Sequence, residues 1–427
     1  MHCHPGGAFV DSFPKMPAGG AGHVGLRESA EVGARHAAHL RGLNLERVLA
    51  IAMDRQGRFT RSELIEASGL SAPTVGSLVA HLIGQGLLRD LGTGPSRGGR
   101  RPSFMEFNDR YGFVAGIDLG PTRTRLAVAD LHGERLAHRV AATPRGLGPA
   151  PLLSRIASAL RPLLREAHVP PGRLLAVAAG APGVVDRERG MVVALAPNLK
   201  GWSRVPMASI LERALGAPVV VENDMNLAIL GERWRGAAQG HDTCAYVTVG
   251  TGIGAGVMVG GQLHRGHHFL AGEIALMCMG PQHVGVDFGS HGCLETLAGL
   301  GALAARWAPP RKRKNGWVSD LVQAAQVGER KARTILDDTA TLLGIATANL
   351  CLVLDPSLIV LGGALIAQGG PLLDDVRRIV GRIIPTPSQI VPSALGEEAP
   401  LWGSLLVATR EARLRLRQRL RHAQGSE

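Results

Sequence analysis

Three apolar segments of this chain run directly into glycine-rich turns, and this repeated pattern constrains the fold more than any other feature. Each segment is typical of a buried β-strand: Phe113–Ile117, Ala245–Val249 and Leu358–Val360. The turns that follow are Asp118-Leu119-Gly120-Pro121-Thr122, Gly250-Thr251-Gly252-Ile253-Gly254 and Leu361-Gly362-Gly363. Backbone N–H groups and Thr hydroxyls in such turns can surround phosphate groups. A single glycine turn is usually only a tight connection, but three in this order predict an α/β body with a phosphate-binding edge.

The segment before this body carries the signals of a helix-turn-helix. Thr60 and Glu63 have the spacing of a capping box, which predicts a short helix from Arg61 to about Ala67 that stops at Gly69. Ser71 is then placed to cap a second helix. Four apolar residues of that helix recur at the spacing of one buried face: Val75, Leu78, Val79 and Leu82. Two short helices joined by a tight turn predict a DNA-reading motif.

Two predicted strands complete a winged helix after these helices. They are Leu87–Asp90 and Ser103–Phe107, and the Arg/Gly-rich loop Gly92–Arg101 joins them as a wing. Arginines of such a loop can enter a narrow minor groove, while outward-facing polar residues of the second helix read bases. We therefore expect DNA contacts from Arg61, Thr74, Ser77, His81, Arg97, Arg100 and Arg101. The alternative is a winged helix kept only as a dimerisation module.

Length and composition bound the remaining possibilities. A chain of 427 residues is too long for one core, and a net charge of +12 is compatible with a polyanionic partner. Five scattered cysteines make a disulfide framework a poor explanation and fit a reducing cytoplasm. No signal for secretion is readable, and no uninterrupted apolar run is long enough to predict a membrane span. We expect a disordered tail (1–40), a winged helix (41–110), an α/β body (111–410) and a basic C-terminal end (411–427).

These motifs together resemble the ROK family (repressors, open reading frames and sugar kinases), and specifically its winged-helix regulator branch. The resemblance runs from about Leu43 to Arg410. It implies a body of two α/β lobes with the actin/hexokinase-like, ribonuclease H-type fold, and with sugar and ATP bound in the cleft between the lobes. The implied ATP-loop residues are Asp118, Gly120, Thr122, Gly250, Thr251, Gly252, Gly254, Gly362 and Gly363.

The resemblance also implies a sugar site. The matching segments are Pro182–Asp186, Pro197–Trp202 and Val221–Asn226. The implied sugar-binding residues are Asn198, Asn223, Asp224, Glu273 and Glu295. Asp224 stands where the family's kinases have their general base, and a carboxylate there can accept the proton of the attacking hydroxyl. In a repressor the same carboxylate simply binds that hydroxyl, and we favour this second role.

The chain departs from the family at its structural zinc. Leu276 stands where the family has a histidine ligand, and Cys293 is the single survivor of three cysteine ligands. One thiolate cannot build a tetrahedral zinc site, so no metal is expected. Cys278, His283 and His291 would have to regroup with Cys293 to restore one. The lost histidine normally touches the sugar, which leaves room for an effector other than the usual hexoses.

We therefore expect a sugar-responsive transcriptional regulator, in most cases a repressor, that binds a double-stranded DNA operator as a homodimer or homotetramer. No cofactor is required for this role. The first alternative is an ATP-dependent sugar kinase with an appended DNA-binding domain, which would use ATP with Mg²⁺. The second is a DNA-binding protein that responds to no ligand and uses its body only to dimerise.

Overall fold

The computed structural model describes residues 24–94, 103–196, 199–307 and 316–423, and the chain divides into two compact units. Unit 1 comprises Met1–Phe107 together with Leu416–Glu427, and unit 2 comprises Asn108–Arg415.

The described part of unit 1 has the architecture of a winged helix. Its helices are α1 (Val24–Asp54), α2 (Arg61–Ser68) and α3 (Ala72–Gly84). Its strands are β1 (Phe59–Thr60), β2 (Leu88–Thr93) and β3 (Ser103–Phe107), which form an antiparallel sheet in the order β1-β3-β2. Helix α1 begins at Val24, inside the segment that was expected to be a disordered tail (1–40). The boundary between tail and winged helix at residue 40 stays a prediction.

Local sequence signals fix the ends of α2 and α3. The backbone N–H of Glu63 donates to the Thr60 hydroxyl, and the Glu63 carboxylate accepts from the Thr60 N–H at 2.5 Å, which confirms the capping box. Gly69 ends α2 in the left-handed conformation, with φ at 66°. Ser71 caps α3 by accepting the N–H of Thr74, and the predicted stripe of α3 is buried as expected.

Among its described residues, unit 2 contains two five-stranded sheets that share one strand topology. The first described sheet comprises β4 (Phe113–Leu119), β5 (Arg123–Asp130), β6 (Arg135–Ala142), β7 (Leu174–Ala181) and β10 (Val219–Asn223), in the order β10-β7-β4-β5-β6. The second comprises β11 (Cys244–Val249), β12 (Ile253–Val259), β13 (Gln262–Leu263), β14 (Leu358–Gly362) and β15 (Gln389–Pro392), in the order β13-β12-β11-β14-β15. In each sheet a three-stranded antiparallel meander adds two parallel strands beside its first strand. A small hairpin of β8 (Val184–Asp186) and β9 (Met191–Ala194) follows β7.

Helices cover both sheets of unit 2. Those of the first half are α4 (Pro149–Glu166), α5 (Met207–Leu215) and α6 (Asp224–Arg235). Those of the second half are α7 (Cys293–Ala298), α8 (Leu300–Trp307), α9 (Trp317–Gln326), α10 (Arg330–Leu354), α11 (Leu372–Ile383) and α12 (Ala399–Ala423), whose residues from Leu416 are grouped with unit 1. One apolar core lies between the first sheet and α4 with α5, and another between the second sheet and α7 to α11.

Helix α10 alone, among the described residues, is long and apolar enough to cross a membrane by length and composition. Its apolar face lies in the second core, where Leu336, Ala340 and Leu343 are at most 3% exposed. Burial inside unit 2 accounts for its composition.

Candidate functional site

A cleft of about 700 Å³ in unit 2 brings together most of the residues predicted from the sequence. Of the predicted phosphate-loop and sugar residues, it is lined by Asp118, Gly120, Thr122, Asn223, Asp224, Gly250, Thr251, Gly252, Gly254, Glu273, Glu295 and Gly363. Asn198 lies outside the described residues. Gly362 ends β14 beside the cleft and is packed against the Tyr246 hydroxyl, which leaves no room there for a side chain.

The glycine turns hold backbone close to the cleft. The N–H of Gly120 donates to the carbonyl of Arg123 at 3.0 Å, and a Cβ at residue 120 would lie 2.7 Å from the same oxygen. The N–H of Gly250 donates to the carbonyl of Gly252 at 3.0 Å. Gly363 has φ at 93°, and a side chain there would collide with the carbonyl of Val249. Glycine is therefore required at residues 120 and 363 for the turns to form.

Asp118 is the last residue but one of β4 and forms one half of a buried ion pair. Its Oδ2 lies 3.1 Å from Nη1 of Arg125, the residue opposite it on β5, and Glu397 pairs with the same guanidinium. Burial raises the pKa of Asp118 to about 6, although the Arg125 charge opposes that rise. Asp118 is thus held in place by Arg125.

Asp224 is the first residue of α6, and its protonation state is unusual. Burial, followed by the negative charges of Asp118 and Glu273, raises its pKa to about 8. The neighbouring Asn223 caps the helix: its Oδ1 accepts the N–H groups of Met225 and Asn226 at 2.8 and 3.0 Å. The Asn223 amide also donates to the carbonyl of Gly183 at 3.0 Å. Asn223 therefore positions the start of α6 as well as lining the cleft.

Glu273 and Glu295 add two carboxyl groups to the same cleft. Burial, and then the Glu295 charge, raises the pKa of Glu273 to about 7. Glu295 accepts the N–H of Ile253 at 2.9 Å through Oε2, and its Oε1 lies 2.6 Å from Nδ1 of His291. Several carboxyl oxygens in a half-buried cleft are well suited to bind the hydroxyl groups of a polar, uncharged ligand.

The residues considered for a regrouped zinc site contact other partners. The Cys278 thiol donates to the carbonyl of Gly280, the His283 ring packs on Phe288, and His291 pairs with Glu295. Cys293 is buried at the start of α7. Within the described ranges, no group of three or more His, Cys, Asp or Glu side chains is placed to hold a metal ion.

The predicted DNA-contact residues of unit 1 lie on its helices. Ser77 is exposed on α3, Thr74 and His81 are half-buried there, and Arg61 begins α2. The three wing arginines, Arg97, Arg100 and Arg101, fall outside the residues that the structure describes.

Sequence reasoning missed several residues that the structure adds. Arg41 of α1 reaches the Ser77 hydroxyl at 3.5 Å, so a cation lies beside the outward face of α3. Arg125, Tyr246 and Glu397 line the cleft. Arg125 lies opposite Asp118 because a tight hairpin joins β4 and β5, so the glycine turn after Asp118 could have predicted this pair from the sequence. Glu397 is 272 residues away from Arg125, and no local pattern connects the two.

Comparisons with known proteins agree with this architecture. Residues 114–411 match the sequence profile of the ROK family. The xylose repressor of Caldicellulosiruptor bescii is 30% identical over 355 residues, which are 80% of this chain and 88% of that protein. A ROK family glucokinase from Streptomyces griseus, crystallised with glucose and AMPPNP, is 30% identical with a TM-score of 0.60, over 70% of this chain and 100% of the other.

A further solved structure extends the likeness in fold. It is a ROK family transcriptional regulator, a homologue of the E. coli MLC protein, with 22% identity and a TM-score of 0.71. The match covers 89% of this chain and 99% of the other, and therefore reaches beyond residues 114–411. The expected fold class, a winged helix followed by an actin/hexokinase-like body, is confirmed. The chain belongs to the ROK family.

Proposed function

We propose that this chain is a sugar-responsive, DNA-binding transcriptional repressor of carbohydrate metabolism genes. The observation that carries the proposal is the presence, in one chain, of a winged helix and of a ROK body with a carboxyl-lined cleft. The relatives named xylose repressors align over about four-fifths of the chain, whereas the glucokinase covers 70% of it. A body that serves catalysis alone would have no use for unit 1.

The cleft is the proposed sugar site. The carboxyl oxygens of Asp224, Glu273 and Glu295 would accept hydrogen bonds from sugar hydroxyls, and Asn198 and Asn223 would complete the set of polar contacts. Ordinary sugars are uncharged and rich in hydroxyl groups, so carboxyl and amide side chains match their hydrogen-bonding capacity. The glycine turns form the part of the cleft where a phosphate would bind in a kinase.

The proposed mechanism is a difference in affinity. Sugar-free protein binds its operator as a dimer through α3, the wing arginines and flanking cations such as Arg41. Sugar binds more tightly to the arrangement of the chain that does not hold DNA, and so shifts the population towards release. Xylose and glucose are the first sugars to test, because relatives of the chain are named for them.

Asp224→Asn tests the sugar site. The variant keeps the shape of the side chain but replaces one carboxyl oxygen by an NH2 group, which only donates. Above pH 8, where Asp224 is ionised, losing a charge-assisted hydrogen bond costs about 1.5–3 kcal/mol, so the sugar concentration that releases half of the DNA should rise roughly ten- to a hundred-fold. The measurement is the fluorescence anisotropy of labelled DNA bound to the protein, followed as sugar is added. Normal release by the variant would remove Asp224 from the sugar site.

The kinase alternative makes a different claim for the same two proteins. The wild-type chain would consume ATP with its cognate sugar, and Asp224→Asn would abolish that turnover. The raised pKa of Asp224 suits a group that exchanges protons near neutral pH, which is why this alternative is tested. Robust wild-type turnover would overturn the preference for a sensor. DNA binding that no sugar affects would favour a body that only dimerises.

A further inference from the structure

A second cavity of about 700 Å³ in unit 2 shares no lining residue with the sugar cleft. Its lining includes four arginines from separate parts of the chain: Arg187, Arg233, Arg265 and Arg410. Glu411 is the single acidic residue among its described lining residues, and Glu411 pairs with Arg415 at 2.6 Å outside the cavity lining. We call this cavity, with its four lining arginines, the arginine cavity.

The four arginines are only partly neutralised. Arg233 pairs with Asp242 at 2.6 Å. Arg187 and Arg265 share one carboxylate, that of Glu222, at 3.5 and 2.7 Å. Besides Glu411, whose charge Arg415 balances, two carboxylates pair with the four guanidinium groups, so about two positive charges remain unbalanced. Such an excess in a concave, partly buried site attracts anions.

Arg410 is the cation that this arrangement leaves without a partner. Within the described parts of the chain no carboxylate or carbonyl pairs with it, although it lines the cavity from α12. Burial, and then the positive charges of Arg233 and Arg187, lowers its pKa. The Arg410 side chain is nevertheless exposed, so water solvates its charge, and an anion bound beside it would in addition relieve the repulsion from Arg233 and Arg187.

We propose that the arginine cavity binds the phosphate group of a small metabolite, with Arg187, Arg233 and Arg410 as its cationic ligands. A phosphate dianion matches the excess of two charges, and planar guanidinium groups bind phosphate oxygens in pairs. The cavity is larger than phosphate alone requires. Gln239, Gln262 and Trp234 also line it, and these side chains suit an uncharged polar remainder such as a sugar ring.

The test is calorimetric titration of the full chain with inorganic phosphate and with glucose 6-phosphate, at constant ionic strength set with chloride. We expect wild-type protein to bind at least one of these probes. Arg410→Gln should weaken that binding by roughly ten- to a hundred-fold, because it removes a charge-assisted contact. Arg382→Gln is the matched control, since Arg382 is an exposed arginine of α11 outside the cavity. A stronger response to glucose 6-phosphate would assign the rest of the cavity to the sugar ring, whereas equal binding would assign the site to free phosphate.

Two results would overturn the proposal. Absence of binding by wild-type protein at millimolar concentrations of both probes is one, and equal weakening by Arg410→Gln and Arg382→Gln is the other. Glucose 6-phosphate could also enter the sugar cleft, so Asp224→Asn is titrated as well. Binding that survives in Asp224→Asn and is lost in Arg410→Gln locates the ligand in the arginine cavity; the opposite pattern locates it in the cleft and refutes the proposal. The outcome does not depend on whether the chain represses transcription.

Discussion

Asp224 shows how neighbouring residues set the chemistry of the cleft. The sequence motif placed this carboxyl at a candidate sugar site, but the motif alone does not give its protonation state. The state depends on burial and on the charges of Asp118 and Glu273, which come from β4 and from the segment after β13. Contacts between residues so far apart in sequence are a property of the folded chain.

The raised pKa of Asp224 predicts a pH dependence of stability. In the unfolded chain this carboxyl titrates near 3.8, and in the folded protein at about 8, so the folded state holds the extra proton between these values. Stability conferred by that proton is complete below about pH 4 and is lost as the pH rises towards 8. Asp224→Asn cannot ionise, so its unfolding free energy should increase relative to wild type from pH 5 to pH 9.

Urea unfolding at several pH values measures this difference directly. Glu329→Gln is the control, because Glu329 is exposed on unit 2 and its side chain makes no capping bond. The control should follow the wild-type profile throughout. A difference between Asp224→Asn and wild type that stays constant over this pH range would contradict the burial of an ionisable Asp224.

The second residue-scale prediction concerns zinc. Leu276 and the missing cysteines leave Cys293 as the single family ligand, and Cys278 is exposed and bonded to a carbonyl oxygen. A tetrahedral site needs four ligands, so purified protein should contain no stoichiometric zinc. Elemental analysis of protein purified without chelators measures the content. One zinc per chain would mean that cysteines and histidines of this segment regroup around the metal.

Elements whose signals are local could be predicted well. The capping box of α2, the Ser71 cap of α3 and the limits of β3 depend on residues a few positions apart, and the structure confirms them. Strand β4 continues to Leu119, past its expected end, because Asp118 is paired with Arg125 across the hairpin. Helix α1 was not expected to begin at Val24, since the Gly- and His-rich start of the chain has no helical periodicity.

The wing can be tested as an element although its arginines lie outside the described residues. Each phosphate contact contributes about one unit to the slope of log affinity against log salt. Arg100→Ala with Arg101→Ala should therefore weaken DNA binding and reduce that slope by roughly two units. Anisotropy titrations over a range of salt, on a duplex selected for binding to the wild-type chain, give the slope.

The matched control removes two arginines, and so the same amount of positive charge, from unit 2. Arg155 and Arg382 are exposed on α4 and α11, and Arg155→Ala with Arg382→Ala should leave the slope close to the wild-type value. If the wing variant keeps the wild-type slope, the wing does not contact DNA. If both double variants lose the same slope, net charge explains the effect without the wing.

At the scale of the whole molecule, the duplicated sheet topology of unit 2 explains why two glycine turns face one cleft. Strands β4 and β11 occupy the same place in their sheets, and each is followed by a turn that lines the cleft. The family resemblance implied this arrangement. Periodicity alone could not supply it, because strand order depends on pairings between segments tens to hundreds of residues apart, such as β4 with β7 and β11 with β14.

The two proposed ligand sites are connected through one buried carboxylate. Arg187 and Arg265 line the arginine cavity and both contact Glu222, which is 1% exposed. Glu222 accepts the N–H of Asn223 at 3.1 Å and the amide of Asn226 at 2.9 Å, at the start of α6. An anion bound by Arg187 competes with Glu222 for that arginine. A buried carboxylate that loses one of its two cationic partners is destabilised, so the start of α6 should hold its position less firmly.

We therefore expect phosphate and sugar to weaken each other's binding. Saturating phosphate should raise the dissociation constant of the cognate sugar roughly five-fold or more, and by linkage the sugar should weaken phosphate binding by the same factor. Calorimetric titration of each ligand with and without the other, at matched ionic strength, measures both factors. Arg382→Gln should retain the coupling, whereas Arg410→Gln should show little of it at the phosphate concentration that saturates wild-type protein, because its weaker binding leaves the cavity largely empty. If phosphate leaves sugar binding by the wild-type protein unchanged, the contacts of Glu222 with Arg187 and Arg265 do not couple the two sites.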